Sequence, residues 1–356
     1  MDKWLEYLKY ATDNGASDIF FVAGGSACIK LDGRMKQIDG EKLFPKDTEE
    51  CIHRLYKIAE RSMEAYLENG DDDFSFAVAG MARFRVNAYR QRGSMAAVVR
   101  VVAFDIPDWK EFHIPEEVMS VSNVNHGMVL VTGTAGSGKS TTQACIIDQI
   151  NKTKECHIIT LEDPIEYLHR NRKSIVSQRE VAIDTKDYLA ALRACLRQAP
   201  DVILLGEMRD KETIHTAMSA AETGHLLIAT LHTKGAVNTI DRIVDTFPSG
   251  QQDQIRIQLS MVLHTVVSQQ LIPGINGEMI PAFEIMHMNN AIRSLVRENK
   301  THQIDNVIAA GGSEGMISMD QSILSLYKSE NISKETALEY ADNQEQMKRR
   351  MGLLIK

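Results

Sequence analysis

Residues 132–142 read TGTAGSGKSTT, and within them Gly133 to Ser140 fit the spacing G-x-x-x-x-G-K-S. An apolar run, MVLVT, precedes the stretch and a helical pattern follows it. That strand–loop–helix context is the one in which this spacing holds phosphate. Gly133, Gly136 and Gly138 let backbone N–H groups curl around phosphate oxygens. The start of the following helix adds a partial positive charge. Lys139 is expected to reach the β- and γ-phosphates and Ser140 to ligate Mg²⁺, with Thr134, Ala135, Ser137 and Thr141 completing the loop. The chemistry this points to is binding and hydrolysis of a nucleoside triphosphate.

Other residues suit the same reaction. The apolar run DVILLGE ends in Glu207, placed to hold Mg²⁺ through water or to polarise the attacking water. CHIITL runs into Glu162, Asp163 and Glu166, and strand C-termini in open α/β sheets face the ligand crevice. One of these carboxylates is a candidate general base, and a solvated acidic turn is the alternative. In TGHLLIATLHT, His225 precedes an apolar strand and His232 follows it. His232 therefore belongs at the end where a γ-phosphate would sit. Alternation in ARFRVN puts Arg83 and Arg85 on one strand face, with Arg90, Arg92 and Arg100 nearby. Such arginines could clamp a triphosphate bound elsewhere, or simply form a solvated face.

Several elements must position these groups. Trp4, Leu5, Leu8 and Ala11 recur at helical spacing. Residues 17–32 read as two strands around Gly24-Gly25, and Asp32-Gly33 as a further hairpin. Asp47 is expected to cap a helix, and another helix to end at Asn69-Gly70. FSFAV, ARFRVNAYR and AAVVRVVA complete a β-rich first domain, residues 1–105. Residues 106–116 carry two prolines and read as an interdomain linker. From 117 to 356, buried-type strands alternate with helical stretches, the pattern of a mostly parallel α/β sheet, and the chain turns helical from about residue 289.

The totals set limits. A length of 356 residues suits two cores. The net charge of -8 argues against wrapping nucleic acid. The five cysteines form no C-x-x-C pair, so a zinc site of usual spacing is not expected, and scattered thiols suit a reducing compartment. The N-terminus lacks the apolar core of a signal peptide, and no transmembrane segment is expected. A cytoplasmic protein follows as the expectation.

TGTAGSGKSTT, LEDPIEY, LRQAPDVILLGEMRD and TGHLLIATLHT together resemble the type IV pilus and type II secretion ATPases, in order and spacing, over nearly the whole chain. The resemblance implies a hexameric ring whose protomers carry an N-terminal PAS-like α+β domain and a RecA-like P-loop ATPase domain. The chain is most similar to the retraction branch, the PilT-type twitching-motility ATPases. It has a short first domain, lacks the four-cysteine zinc module, and carries AIRSLVRENKTHQI near its end. On that resemblance Ala291, Ile292, Arg293, Leu295 and Arg297 belong to a surface needed for retraction. Arg83, Arg85 and Arg100 fall in an arginine region that reaches a neighbour's nucleotide. Glu162 and Glu166 fall in the aspartate box, His225 and His232 in the histidine box. Glu207 is the atypical second-motif acid, and Arg242 a further interface arginine. The phosphate loop departs at Thr134-Ala135 and the signature at Ser294 and Val296. The implied function is ATP-powered pilus retraction. The implied partners are an inner-membrane pilus platform protein and a second retraction ATPase, with the ring docked at the inner face of the cytoplasmic membrane. An assembly or secretion motor, a nucleotide-switched scaffold and a DNA motor stand as the other readings.

Overall fold

The computed structural model describes residues 2–31, 34–102 and 106–353. The chain forms two compact units, one from residues 1–105 with 166–168, the other from 106–165 with 169–356. It is a mixed α/β protein, an N-terminal sheet domain followed by a domain built on a mostly parallel sheet.

The first unit holds six antiparallel strands: β1 (Asp18–Phe21), β2 (Ser26–Leu31), β3 (Arg34–Lys42), β4 (Asp71–Val78), β5 (Ala82–Gln91) and β6 (Ser94–Val102), in the order β3-β2-β1-β6-β5-β4. Helices Lys3–Asp13, Pro45–Ile58 and Glu64–Asn69 complete it. The helix Glu64–Asn69 stops at Gly70, whose φ of 82° is the left-handed conformation glycine adopts freely. Asp47 is not the N-cap. It lies in the first turn of Pro45–Ile58 and accepts from the Phe44 N–H at 2.6 Å. Proline's preset φ starts that helix three residues earlier than the expected cap allows. Asp32 and Gly33 lie outside the described residues.

The second unit holds β7 (Gly127–Thr132), β8 (His157–Glu162), β9 (Ile175–Glu180), β10 (Val202–Leu205), β11 (Leu226–Leu231), β12 (Leu263–Pro273) and β13 (Met279–His287), in the order β13-β12-β7-β11-β10-β8-β9. All pair in parallel except β13, which runs antiparallel to β12. Side chains alternate across the sheet, so one apolar strand feeds two cores. Leu130, Ile159, Ile203 and Leu227 enter one. Val129, Ile158, Leu204 and Ile228 enter the other. Strands β9, β12 and β13 were not expected from the sequence. A smaller separate core holds Ile272, Ile280 and Ala282 against Met319, Ile323, Ala337 and Met347 of the last three helices, Met319–Lys328, Lys334–Tyr340 and Gln344–Arg350, and against Ile332 between the first two of them.

The stretch 106–116 is not a free tether along its length. Ile114 is buried in the second unit's core, with Ile106 and Trp109 packed against it. Burying a side chain as Ile114 is buried stabilises by about 1.5–3 kcal/mol. Among the described residues no helix is long and apolar enough to cross a membrane.

Candidate active site

Strand β7 ends at Thr132, the phosphate loop follows, and the helix Lys139–Thr153 begins directly after Gly138. Gly133, Gly136 and Gly138 have φ of 143°, 76° and 85°. Two of these positions are closed on a second ground. A Cβ on Gly133 would lie 2.2 Å from the Gln269 carbonyl oxygen and 2.6 Å from Ser137 Oγ, and one on Gly138 2.8 Å from Gln269 Nε2. Lys139 is buried, and its ammonium donates to the carbonyls of Gly133 at 2.9 Å and Thr134 at 2.8 Å. Ser137 Oγ and Thr132 Oγ1 are buried without a hydrogen-bond partner. Thr134, Ala135 and Gly136 are exposed at the rim, and Ser140 and Thr141 are partly so. A curled loop, a buried cation and an orphaned hydroxyl fit a phosphate chain.

Beneath the loop lies Gln269, which sequence reasoning missed. It is buried on β12, and its Oε1 accepts from Thr142 Oγ1 at 2.7 Å. Nothing in VVSQQLIP marks it, since it is the middle one of three consecutive polar residues.

The acids gather at the C-terminal strand ends. Glu162 closes β8 and its Oε1 accepts from Thr160 Oγ1 at 2.5 Å and Gln178 Nε2 at 3.1 Å. Glu207 follows β10 and is buried, with Arg209 paired to one oxygen and His232 Nε2 3.4 Å from the other. His232 follows β11 as expected. Gly206 is fixed on both sides: its N–H donates to the Leu161 carbonyl at 2.8 Å and its carbonyl accepts from Thr230 Oγ1. Buried Glu180, also missed, accepts from the Ile165 N–H at 3.3 Å and holds the turn after β8. Glu166 is exposed and belongs to the first unit.

His225 stands at the other end of β11 from His232. It precedes β11, and β11 runs parallel to β7. The strand's length, roughly 20 Å, separates it from the phosphate loop of its own chain. Its Nδ1–H donates to the Ala220 carbonyl at 2.9 Å, closing the helix Lys211–Glu222.

In the first unit Arg83 and Arg85 share a face of β5. Arg83 Nη2 donates to Ser75 Oγ at 2.7 Å. Arg85 stands opposite Arg100 on β6, and Arg100 Nε pairs with Asp18 at 3.1 Å. Arg90 points to the other face and lies over the Tyr66 ring, a packing use. In the second unit Arg242 is exposed in the last turn of the helix Ala236–Asp245.

The signature stretch needs a correction. Ile292 is fully buried in the helix Asn290–Arg297, so it is not part of a surface. Arg293 Nη1 donates to the carbonyls of Ser260 and Met261, ending the helix Ser249–Val262. Ala291 and Arg297 are the exposed members, and Leu295 packs partly against the core.

The family model described as Type II/IV secretion system protein matches residues 4–353. The chain belongs to that family. It is 45% identical over 337 residues to the type IV pilus retraction ATPase PilT of Pseudomonas aeruginosa, covering 94% of this chain and 97% of that protein. It is 41% identical over 344 residues to a twitching motility protein of Neisseria gonorrhoeae, covering 96% of this chain and 91% of that one. A crystal structure of the pilus retraction motor PilT with bound ADP superposes with a TM-score of 0.89, at 46% identity, over 97% of this chain and 98% of that one.

Proposed function

We propose that this protein is an ATPase motor that powers type IV pilus retraction and hence twitching motility. The observation that carries the reading is likeness to PilT over almost the full length of both chains, joined to a closed phosphate loop. Lys139 exchanges its loop carbonyls for the β- and γ-phosphates. The backbone from Gly133 to Thr141 binds the remaining oxygens. Ser140 and Glu207 are the residues placed to hold Mg²⁺, which when bound neutralises developing phosphate charge. Glu162 or Glu166 takes a proton from the attacking water, and His232 holds Glu207 in register. Arg83, Arg85, Arg100 and Arg242 supply positive charge to a neighbouring subunit's site, which requires a homo-oligomer, a hexameric ring in our reading. The ring works in the cytoplasm against an inner-membrane platform protein, alongside a second retraction ATPase where one is present. Turnover turns the N-terminal domain against the ATPase domain and so withdraws pilins from the fibre base.

Two measurements test this. Lys139→Ala should abolish ATP hydrolysis, and wild-type turnover by that variant would refute the site. Cells lacking the gene should carry excess pili and lose twitching. Bald cells would instead make it an assembly motor.

A further inference from the structure

Strand β9 lies at the edge of the second unit's sheet, beside β8. Its residues are IVSQRE, and of these only Glu180 is buried. The parallel register sets Gln178 opposite Thr160 and Glu180 opposite Glu162. Residues two apart share a strand face, so these four polar side chains stand together on one face of the two strands. Gln178 uses both ends of its amide. Its Oε1 accepts from the His169 N–H at 2.8 Å, and its Nε2 donates to Glu162 Oε1 at 3.1 Å. Thr160 Oγ1 donates to that same carboxylate oxygen at 2.5 Å. Glu180 accepts from the Ile165 N–H at 3.3 Å. The edge strand therefore grips the chain after β8 at two backbone positions, and the acid that closes β8 at a third point. A side chain that served only the His169 N–H would need an acceptor alone, and the amide's donor is directed at Glu162.

We infer that Gln178 is a positioning residue for hydrolysis: anchored on the His169 backbone, its amide holds the Glu162 carboxylate in the orientation that takes a proton from the attacking water. That water's oxygen bonds to the γ-phosphorus as ADP leaves. This rests on the ATPase reading above, with Glu162 as the base. Glu162 is partly exposed, so water reaches it, but a glutamate at such a position has rotamers to choose among. Two donors on one oxygen fix rotation about its last side-chain bond and so set the direction of the other oxygen. Both donors are themselves held: Thr160 is buried within β8, and Gln178 is tied at its far end to a backbone N–H. The gain is in orientation, since misplacing a reacting group by about 1 Å can cost a hundredfold in rate.

The test is a double-mutant cycle on the full-length protein. It measures kcat and KM for ATP in the wild type, Gln178→Met, Glu162→Ala and the double variant, with an unfolding midpoint for each. Methionine keeps the side chain's length and loses its donor. The inference expects Gln178→Met to lower kcat about tenfold, the size of one hydrogen bond to a charged group, with KM little changed. Adding Gln178→Met to Glu162→Ala should lower kcat no further, because the amide then has no acid to aim. Gln178→Glu keeps an acceptor for the His169 N–H and lacks the amide donor, so it tests the same point if the methionine variant does not fold, and its kcat should fall as well. An equal fractional loss from Gln178→Met in both backgrounds would overturn the inference by making the residue merely structural. A wild-type kcat in Gln178→Glu would overturn it by showing that the His169 contact is all that matters. A wild-type kcat in Glu162→Ala would overturn it and leave the ATPase reading standing with Glu166 as the base. A wild type without turnover would sink both readings together.

Discussion

Gln269 illustrates what a single residue does for this site. It closes the space behind Gly133 and Gly138 and accepts from Thr142 in the first turns of the phosphate-loop helix. Gln269→Ala leaves a buried hydroxyl unpaired and a void beneath the loop. Stability should fall by about 1–3 kcal/mol, read as a lower chemical-denaturation midpoint, and KM for ATP should rise more than kcat falls. An unchanged KM would show that the loop keeps its shape without this support. The glycines, Lys139 and Ser140 are legible in the sequence because the phosphate chemistry prescribes both residue type and spacing. Gln269 is not, because its partner Thr142 is 127 residues away and only the fold brings them together. Glu180 escapes for the same reason: it acts through a neighbouring strand end. His225 and His232 flank one apolar strand in the sequence, and that strand's length places them at opposite ends of the sheet.

At the scale of elements, strands read best where they are buried on both faces. Strands β7, β8, β10 and β11 announce themselves as apolar runs. Strands β9 and β12 carry serines and glutamines, IVSQRE and TVVSQQ, and their membership of the sheet depends on pairing. The signature helix shows how motif and role separate. Arg293 caps the helix Ser249–Val262, while Arg297 is exposed. Arg293→Ala should therefore cost about 1–2 kcal/mol in thermal or denaturant unfolding, and Arg297→Ala should cost almost nothing. Equal losses would contradict the cap.

A second element-scale prediction concerns Glu284 on β13. It accepts from the Ala236 N–H at 2.7 Å at the start of the helix Ala236–Asp245. Burial raises its pKa from 4.5 to about 7, and Asp305 and Asp342 add to the rise against the pull of that N–H. The folded state thus holds this proton more tightly than the unfolded chain. The stability gained is complete below pH about 4.5 and is lost as pH rises to about 7. Glu284→Gln keeps an acceptor for Ala236 and removes the titration. Its unfolding midpoint should lose less than the wild type's between pH 5 and pH 8, and parallel curves would refute the assignment.

For the whole molecule, the sequence carries the two-part organisation and its class because each part follows its own periodicity. It does not carry the packing of residues 106–114, where scattered Ile106, Trp109 and Ile114 have no period to betray them. The motor reading also makes a claim about assembly. Native mass measurement should find rings in solution at working concentrations, and a strictly monomeric protein that hydrolyses ATP at full rate would refute arginines supplied in trans. The small separate core under the last three helices carries one more consequence. The helix Gln344–Arg350 buries only Met347 there. Opening it breaks few apolar contacts, whereas opening β7 means dismantling both faces of the sheet. Amide hydrogens of this terminal helix should then exchange with solvent deuterium far sooner than those of β7. The protein would loosen first at a place it can shed and re-form while the phosphate loop stays folded.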